Sequence, residues 1–133
     1  MLRGHKALTR ELSARLLADH GLTLNDFDVL AQLSLAPEGR LRRVDLVDRL
    51  LLTPSGITRL LDGLERAGYV EKATCDTDAR VTYAVLTDLG YETLREATRT
   101  HVADVEAALA PLNEQELETL GALLGRLSKA DQP

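Results

Sequence analysis

Residues 53–87 read TPSGITRLLDGLERAGYVEKATCDTDARVTYAVLT, a short helical pattern that runs into two extended ones. Thr53 supplies a hydroxyl at the N-cap position, and Pro54 suits the first helical position, where its missing N–H has no partner to lose. Ile57, Leu60, Leu61, Leu64 and Ala67 recur at the 3.6-residue period and form one apolar face. The opposite face carries Ser55, Thr58, Arg59, Asp62 and Arg66. Gly68 permits the left-handed turn that closes a helix, and Tyr69–Val70 opens an extended run. Val81, Tyr83 and Val85 alternate with Thr82, Ala84 and Leu86, the period of a half-buried strand. Between the strands, CDTDAR (75–80) is turn-forming, because Asp76, Thr77 and Asp78 readily hydrogen-bond to their own backbone.

Helix, hairpin and exit in this order make the layout of a winged helix-turn-helix. A helix with small polar residues and an arginine outside suits a major groove, and a protruding hairpin tipped by Arg80 suits a minor groove. The segment resembles the DNA-binding core of the MarR family of bacterial transcriptional regulators, and the likeness covers nearly the whole chain. TPSGITRLLDGLERAGYVEK is similar to the family's recognition helix and first wing strand, and DTDARVTYAVLTDLG to its wing tip, second strand and following helix start. The family's Asp-x-Arg unit stands eight residues before a Leu-Thr, as Asp78-Ala79-Arg80 stands before Leu86-Thr87 here. Many members carry a second arginine where this chain has Ala79, a departure that weakens a phosphate contact more than it weakens the resemblance.

With 133 residues and 44% hydrophobic residues, one domain with a modest core is expected. No run of eighteen apolar residues and no signal-peptide pattern is present, which predicts a cytoplasmic protein without a membrane span. One cysteine makes no internal disulfide, and no Cys/His cluster has metal-ligand spacing, so neither a structural metal nor a cofactor is expected. The net charge of −5 argues against a general nucleic-acid sheath. Its distribution is uneven: residues 40–80 hold eight Lys/Arg against seven Asp/Glu, and residues 81–133 four against nine. A near-neutral DNA-facing part fits arginines placed one by one.

Upstream, Leu8, Leu12 and Leu16 mark an amphipathic first helix ending at Gly21. Thr23 with Asp26 resembles a capping box for a helix carrying Phe27, Leu30, Ala31 and Leu33, stopped by Pro37 and Gly39. Residues 43–51 place Val44, Val47, Leu50 and Leu51 on one side of a short helix, the first of the helix-turn-helix. After the wing, Thr87 caps a long helix with a stripe of Leu94, Ala97, Thr98, His101, Val105, Ala108 and Leu109, ended by Pro111. Asn113 and Glu116 open a last helix striped by Leu117, Leu120, Leu123, Leu124 and Leu127. These stripes need a partner surface, and packing against each other and a second copy is the simplest solution. The resemblance implies the same homodimer.

The expected fold is therefore mostly α with a small β-wing: one domain over 1–133, a winged helix-turn-helix core at 24–87, and dimerisation helices at 2–20 and 88–130. The DNA-binding residues expected are Thr53, Ser55, Thr58, Arg59, Asp78 and Arg80. Arg59 either reads guanine bidentately, worth about 1–3 kcal/mol of discrimination, or grips a phosphate. Thr53 caps a helix N-terminus that is itself a natural phosphate site. Asp78 is placed to hold the Arg80 guanidinium extended, as the family's wing aspartate does. Arg42, Arg43 and Lys72 read as backbone contacts or ordinary surface charges, and His101 as a hydrogen-bonded interior or interface histidine.

The function implied is a homodimeric repressor on a pseudo-palindromic double-stranded operator, responsive to a small-molecule effector. With one Phe, three Tyr and no Trp, an aromatic-lined effector pocket is sparse, so an aliphatic pocket or no effector stays open. Two other readings stay open. One is a winged-helix module that binds a protein instead of DNA. The other is a redox-sensing regulator using Cys75, its thiol activated by Arg80 or Lys72 against Asp76 and Asp78. No nucleophile, base and orienter stand at a recognisable spacing, which sets an enzyme aside.

Overall fold

The computed structural model describes residues 2–50 and 52–130. Its elements are α1 (Leu2–His20), α2 (Leu24–Leu35), β1 (Arg40–Arg42), α3 (Arg43–Leu50), α4 (Pro54–Arg66), β2 (Val70–Thr74), β3 (Thr82–Leu86), α5 (Asp88–Ala108) and α6 (Glu114–Ala130). The strands form one antiparallel sheet in the order β1-β3-β2. Leu51 lies outside the described residues.

Short polar side chains start the helices. Thr23 and Asp26 exchange two hydrogen bonds at 3.0 Å, a full capping box, and Asn113 and Glu116 do the same at 2.8 and 3.0 Å. Thr53 Oγ1 accepts from the Gly56 N–H, as predicted from the Thr-Pro pair. Thr87 Oγ1 accepts from the Gly90 N–H and donates to the Gly68 carbonyl at 2.6 Å, so one hydroxyl caps α5 and fastens it to the exit of α4. Gly68 holds φ at +84°, and the Tyr69 N–H closes the helix on the Leu64 carbonyl at 2.9 Å.

The core lies where α2, α3, α4 and the sheet meet. Leu30, Leu33, Leu46 and Ile57 are fully buried there, with Leu61, Leu64, Val70 and Leu86 around them. On β3, Ala84 and Leu86 face inward. α5 extends the core through Leu94 and Ala97 and packs on α1 and α2, and Arg15 of α1 reaches Asp104 of α5 at 3.3 Å. Phe27 is partly buried against this core, its ring 5.0 Å from that of His101. The expected hydrogen bond of His101 is absent at one end: its Nδ1 is buried without a partner among the described residues.

Five expectations need correction. β1 was not anticipated; it pairs Arg40 to Val85 and Arg42 to Tyr83, and Arg40 stacks 5.0 Å over the Tyr83 ring. Because α3 leaves directly from this paired strand, β1 sets its rotation. Leu46 thus enters the core, while Val44, expected on the apolar side, is 59% exposed. Ala67 and Thr98 are likewise exposed, Ala67 because it is the cap residue beyond the last buried turn of α4. Finally, the terminal helices do not all pack together. α1 and α5 do, but the α6 leucines stay open, from 36% at Leu117 to 65% at Leu127. No helix among the described residues is long and apolar enough to cross a membrane.

Candidate nucleic-acid interface

α4 is strongly amphipathic: Ile57, Leu61 and Leu64 hold it to the core, which turns the opposite face outward. Thr53, Ser55 and Arg59 are exposed there, and Thr58 is half-buried. At its N-terminus Ser55 Oγ lies 3.2 Å from Thr53 Oγ1. Thr58 donates its hydroxyl proton to the Pro54 carbonyl at 3.0 Å and accepts from Arg43 Nη2 across the turn of the helix-turn-helix. Arg59 has no hydrogen bond or ion pair among the described residues, so its guanidinium is available to a ligand on that face.

The wing is the β2–β3 hairpin, whose register runs from Val70 opposite Leu86 to Thr74 opposite Thr82. Its tip is closed by Cys75 N–H to the Val81 carbonyl and Val81 N–H to the Asp78 carbonyl, each at 3.1 Å. Asp78 Oδ1 accepts from both the Arg80 backbone N–H, at 3.0 Å, and Arg80 Nε, at 3.1 Å. Arg80 Nη2 adds a longer contact to Oδ2 at 3.4 Å. The side chain of Arg80 is nevertheless 92% exposed, so the guanidinium is aimed by Asp78 and open to solvent. Those hydrogen bonds hold the Asp78 carboxyl below its ordinary value.

Between the wing and the helix-turn-helix runs an open crevice of about 490 Å³. Arg42, Arg43 and Arg80 line it together with Val44, Val47 and Pro54. Arg42 is held by Asp45 in a paired hydrogen bond at 3.1 Å, which keeps the Asp45 carboxyl low. Lys72 is bound by Asp62 at 2.8 Å and Glu65 at 3.2 Å, fastening the first wing strand to the back half of α4. The hydrogen bonds that Lys72 donates to Asp62 and Glu65 raise its pKa. Lys72 is thus the surface charge read from the sequence, and it also braces β2 against α4.

The six expected DNA-binding residues thus divide between two exposed places, the first turns of α4 and the wing tip, joined by the arginine-lined crevice. Arg43 is the residue whose part was missed. It sits at the first position of α3 and meets Thr58 fifteen positions later, a contact with no periodic signal. Cys75 is half-buried beside Thr77, whose hydroxyl lies 3.1 Å from its sulfur. That hydrogen bond, with backbone N–H groups of Thr77 and Asp78, lowers the thiol pKa while the Asp78 charge opposes it. The activating cations considered for it are engaged elsewhere, Lys72 by α4 and Arg80 by Asp78. Among the described residues no group of His, Cys, Asp or Glu is arranged to hold a metal.

A family model described as "MarR family" matches residues 20–81. The HTH-type transcriptional regulator PecS of Dickeya dadantii is 32% identical over 117 residues, covering 86% of this chain and 70% of PecS. Among solved structures, the MarR family regulator AbsC of Streptomyces coelicolor is 31% identical with a TM-score of 0.85, covering 97% of this chain and 87% of AbsC. Sco3205, a MarR family regulator of the same organism solved in complex with DNA, is 29% identical with a TM-score of 0.88, covering 99% of this chain and 83% of its own. These relatives are regulators and not enzymes. On the match over the helix-turn-helix and the likeness over almost the whole fold, the chain belongs to the MarR family and is a DNA-binding transcriptional regulator.

Proposed function

We propose that this chain is a homodimeric repressor that binds a pseudo-palindromic operator, with two α4 helices in successive major grooves about one helical turn apart. Thr53, Ser55, Thr58 and Arg59 are its major-groove and adjoining backbone residues, and Arg80, held by Asp78, is its minor-groove residue. The observation that carries this reading is the Asp78–Arg80 pair, since an exposed guanidinium held extended at a hairpin tip has its conformational cost met before it meets DNA. The DNA complex of Sco3205 supports the same partner.

The helices at 2–20 and 88–130 form the dimerisation region, supported by the uncovered leucine face of α6. A small-molecule effector acts by changing the separation of the two α4 helices. The near-neutral charge of residues 40–80 makes affinity depend on a few placed cations. The test is selection of bound duplexes from a random pool at two salt concentrations. Enrichment of an inverted repeat that weakens as salt rises is expected. Enrichment of nothing by an intact dimer points instead to a protein-binding winged helix.

A further inference from the structure

We propose that Thr58 reads a thymine through the 5-methyl group, using its own methyl and not its hydroxyl. The inference deepens the operator-reading function proposed above and rests on it. A threonine on the outer face of a recognition helix is usually counted as a hydrogen-bonding residue. Here its hydroxyl is already engaged. A hydroxyl has one proton and two lone pairs. The proton goes to the Pro54 carbonyl, one turn back at 3.0 Å. Arg43 Nη2 donates to the same oxygen from α3.

No proton is therefore left for N7, O6 or O4, the acceptors that purines and thymine present in the major groove. Arg43 Nη2 takes one of the two lone pairs, and its positive charge disfavours a second N–H donor, such as an exocyclic amino group, at the other. Two partners on one oxygen also fix χ1, which a β-branched side chain restricts already. The methyl carbon is then the group that Thr58 is best placed to offer the groove. Thymine is the base that carries an apolar group there, and apolar contact is the pairing that chemistry allows. Thr58 lies between Ser55 and Arg59, one turn from the helix start, the part of a recognition helix that reaches base edges. Ser55 and Arg59 then supply the polar readout on either side of it.

The experiment starts from a duplex enriched from a random thymine-containing pool by the purified protein. That duplex is resynthesised with uracil replacing each thymine in turn, which removes only the methyl. For the wild-type protein, uracil at one thymine in each half-site should weaken binding about fourfold per methyl lost, and roughly fifteenfold when both half-sites are changed. Thr58→Val keeps the methyl and discards the hydroxyl, so it should retain the thymine preference at that position. Thr58→Ser keeps both hydrogen bonds, and with them the local structure, but should bind the thymine and uracil duplexes alike. An enriched duplex insensitive to uracil at every position overturns the Thr58 assignment and leaves operator binding standing. So does full thymine preference in Thr58→Ser. Failure to enrich any duplex overturns operator reading, and the Thr58 role with it.

Discussion

Asp78 and Arg80 are locked together at the tip of the wing by one carboxylate oxygen that accepts from both the backbone N–H and Nε of the arginine. The acid adds negative charge to a surface that meets a polyanion, so its presence must be explained by geometry. Removing it separates two accounts by sign. If charge alone mattered, Asp78→Ala would tighten operator binding. With Asp78 positioning the guanidinium, the variant is expected to bind more weakly in a gel-shift titration. Arg80→Ala is expected to weaken binding further, about tenfold to a hundredfold, and to reduce the log–log salt slope by about 1. Its thermal midpoint should be unchanged, because Arg80 is 92% exposed. Wild-type affinity in Arg80→Ala would remove the wing from the mechanism.

The five leucines of α6 lie open along one helix, and a helix of this length does not hold itself together in water without a packed face. A second copy is the expected cover. Replacing Leu120 and Leu124 together by Asp should convert the dimer to monomer in sedimentation equilibrium. Operator affinity should fall with it, because two half-sites are no longer held by one particle. The α2–α4 core contains neither residue, so helical circular dichroism should lose no more than the contribution of α6. A double variant that sediments as a native-like dimer would place the interface elsewhere.

Much of this was legible in the sequence because it is local. Thr23, Thr53, Thr87 and Asn113 each cap a helix through an atom within three residues, and Gly68 turns the chain by its own φ. Asp78 and Arg80 are two positions apart and read correctly as a pair. What was missed joins distant positions. β1 has three residues, too few to show alternation, and it exists because β3 offers it an edge. The same pairing rotates α3 and exchanges the expected Val44 for Leu46. The Arg43–Thr58 contact and the clamp of Lys72 on Asp62 and Glu65 depend on how helices and strands cross, which periodicity does not encode.

Cys75 has its thiol pKa lowered first by the Thr77 hydroxyl, and the sign of that effect is testable. The thiolate is the reactive form, so a lowered pKa moves the onset of alkylation to lower pH. Iodoacetamide labelling followed by mass spectrometry should give a midpoint below that of a free cysteine. Thr77→Val should move the midpoint upward, since the donor to the thiolate is gone. An unchanged midpoint in Thr77→Val would show that the backbone N–H groups carry the effect. Labelling at an ordinary thiol midpoint in the wild type would leave redox control through Cys75 without a chemical basis.

Two glycines in helices should respond oppositely to the same methyl group. At Gly63, in α4, a Cβ meets nothing within 4 Å. Gly63→Ala therefore gains helix propensity without a clash and should stabilise the fold by roughly 0.5–1 kcal/mol. At Gly90, in the first turn of α5, a Cβ would stand 2.2 Å from the Tyr69 carbonyl oxygen and 2.6 Å from Leu86 Cδ1. Leu86 can shift, but the Tyr69 carbonyl cannot, because it accepts from the Thr87 N–H and belongs to the turn joining α4 to the wing. Relief requires α5 to move away from that turn, which loosens the Thr87 hydroxyl bridge to Gly68 as well. Gly90→Ala should cost about 1–3 kcal/mol in urea denaturation, the range for forcing a group into a packed site. It should also weaken operator binding beyond its effect on stability, since the wing and the recognition helix both leave from this junction. Equal stability of Gly90→Ala and wild type would mean that α5 is free to slide on the wing base, and the wing would then have no fixed position relative to α4.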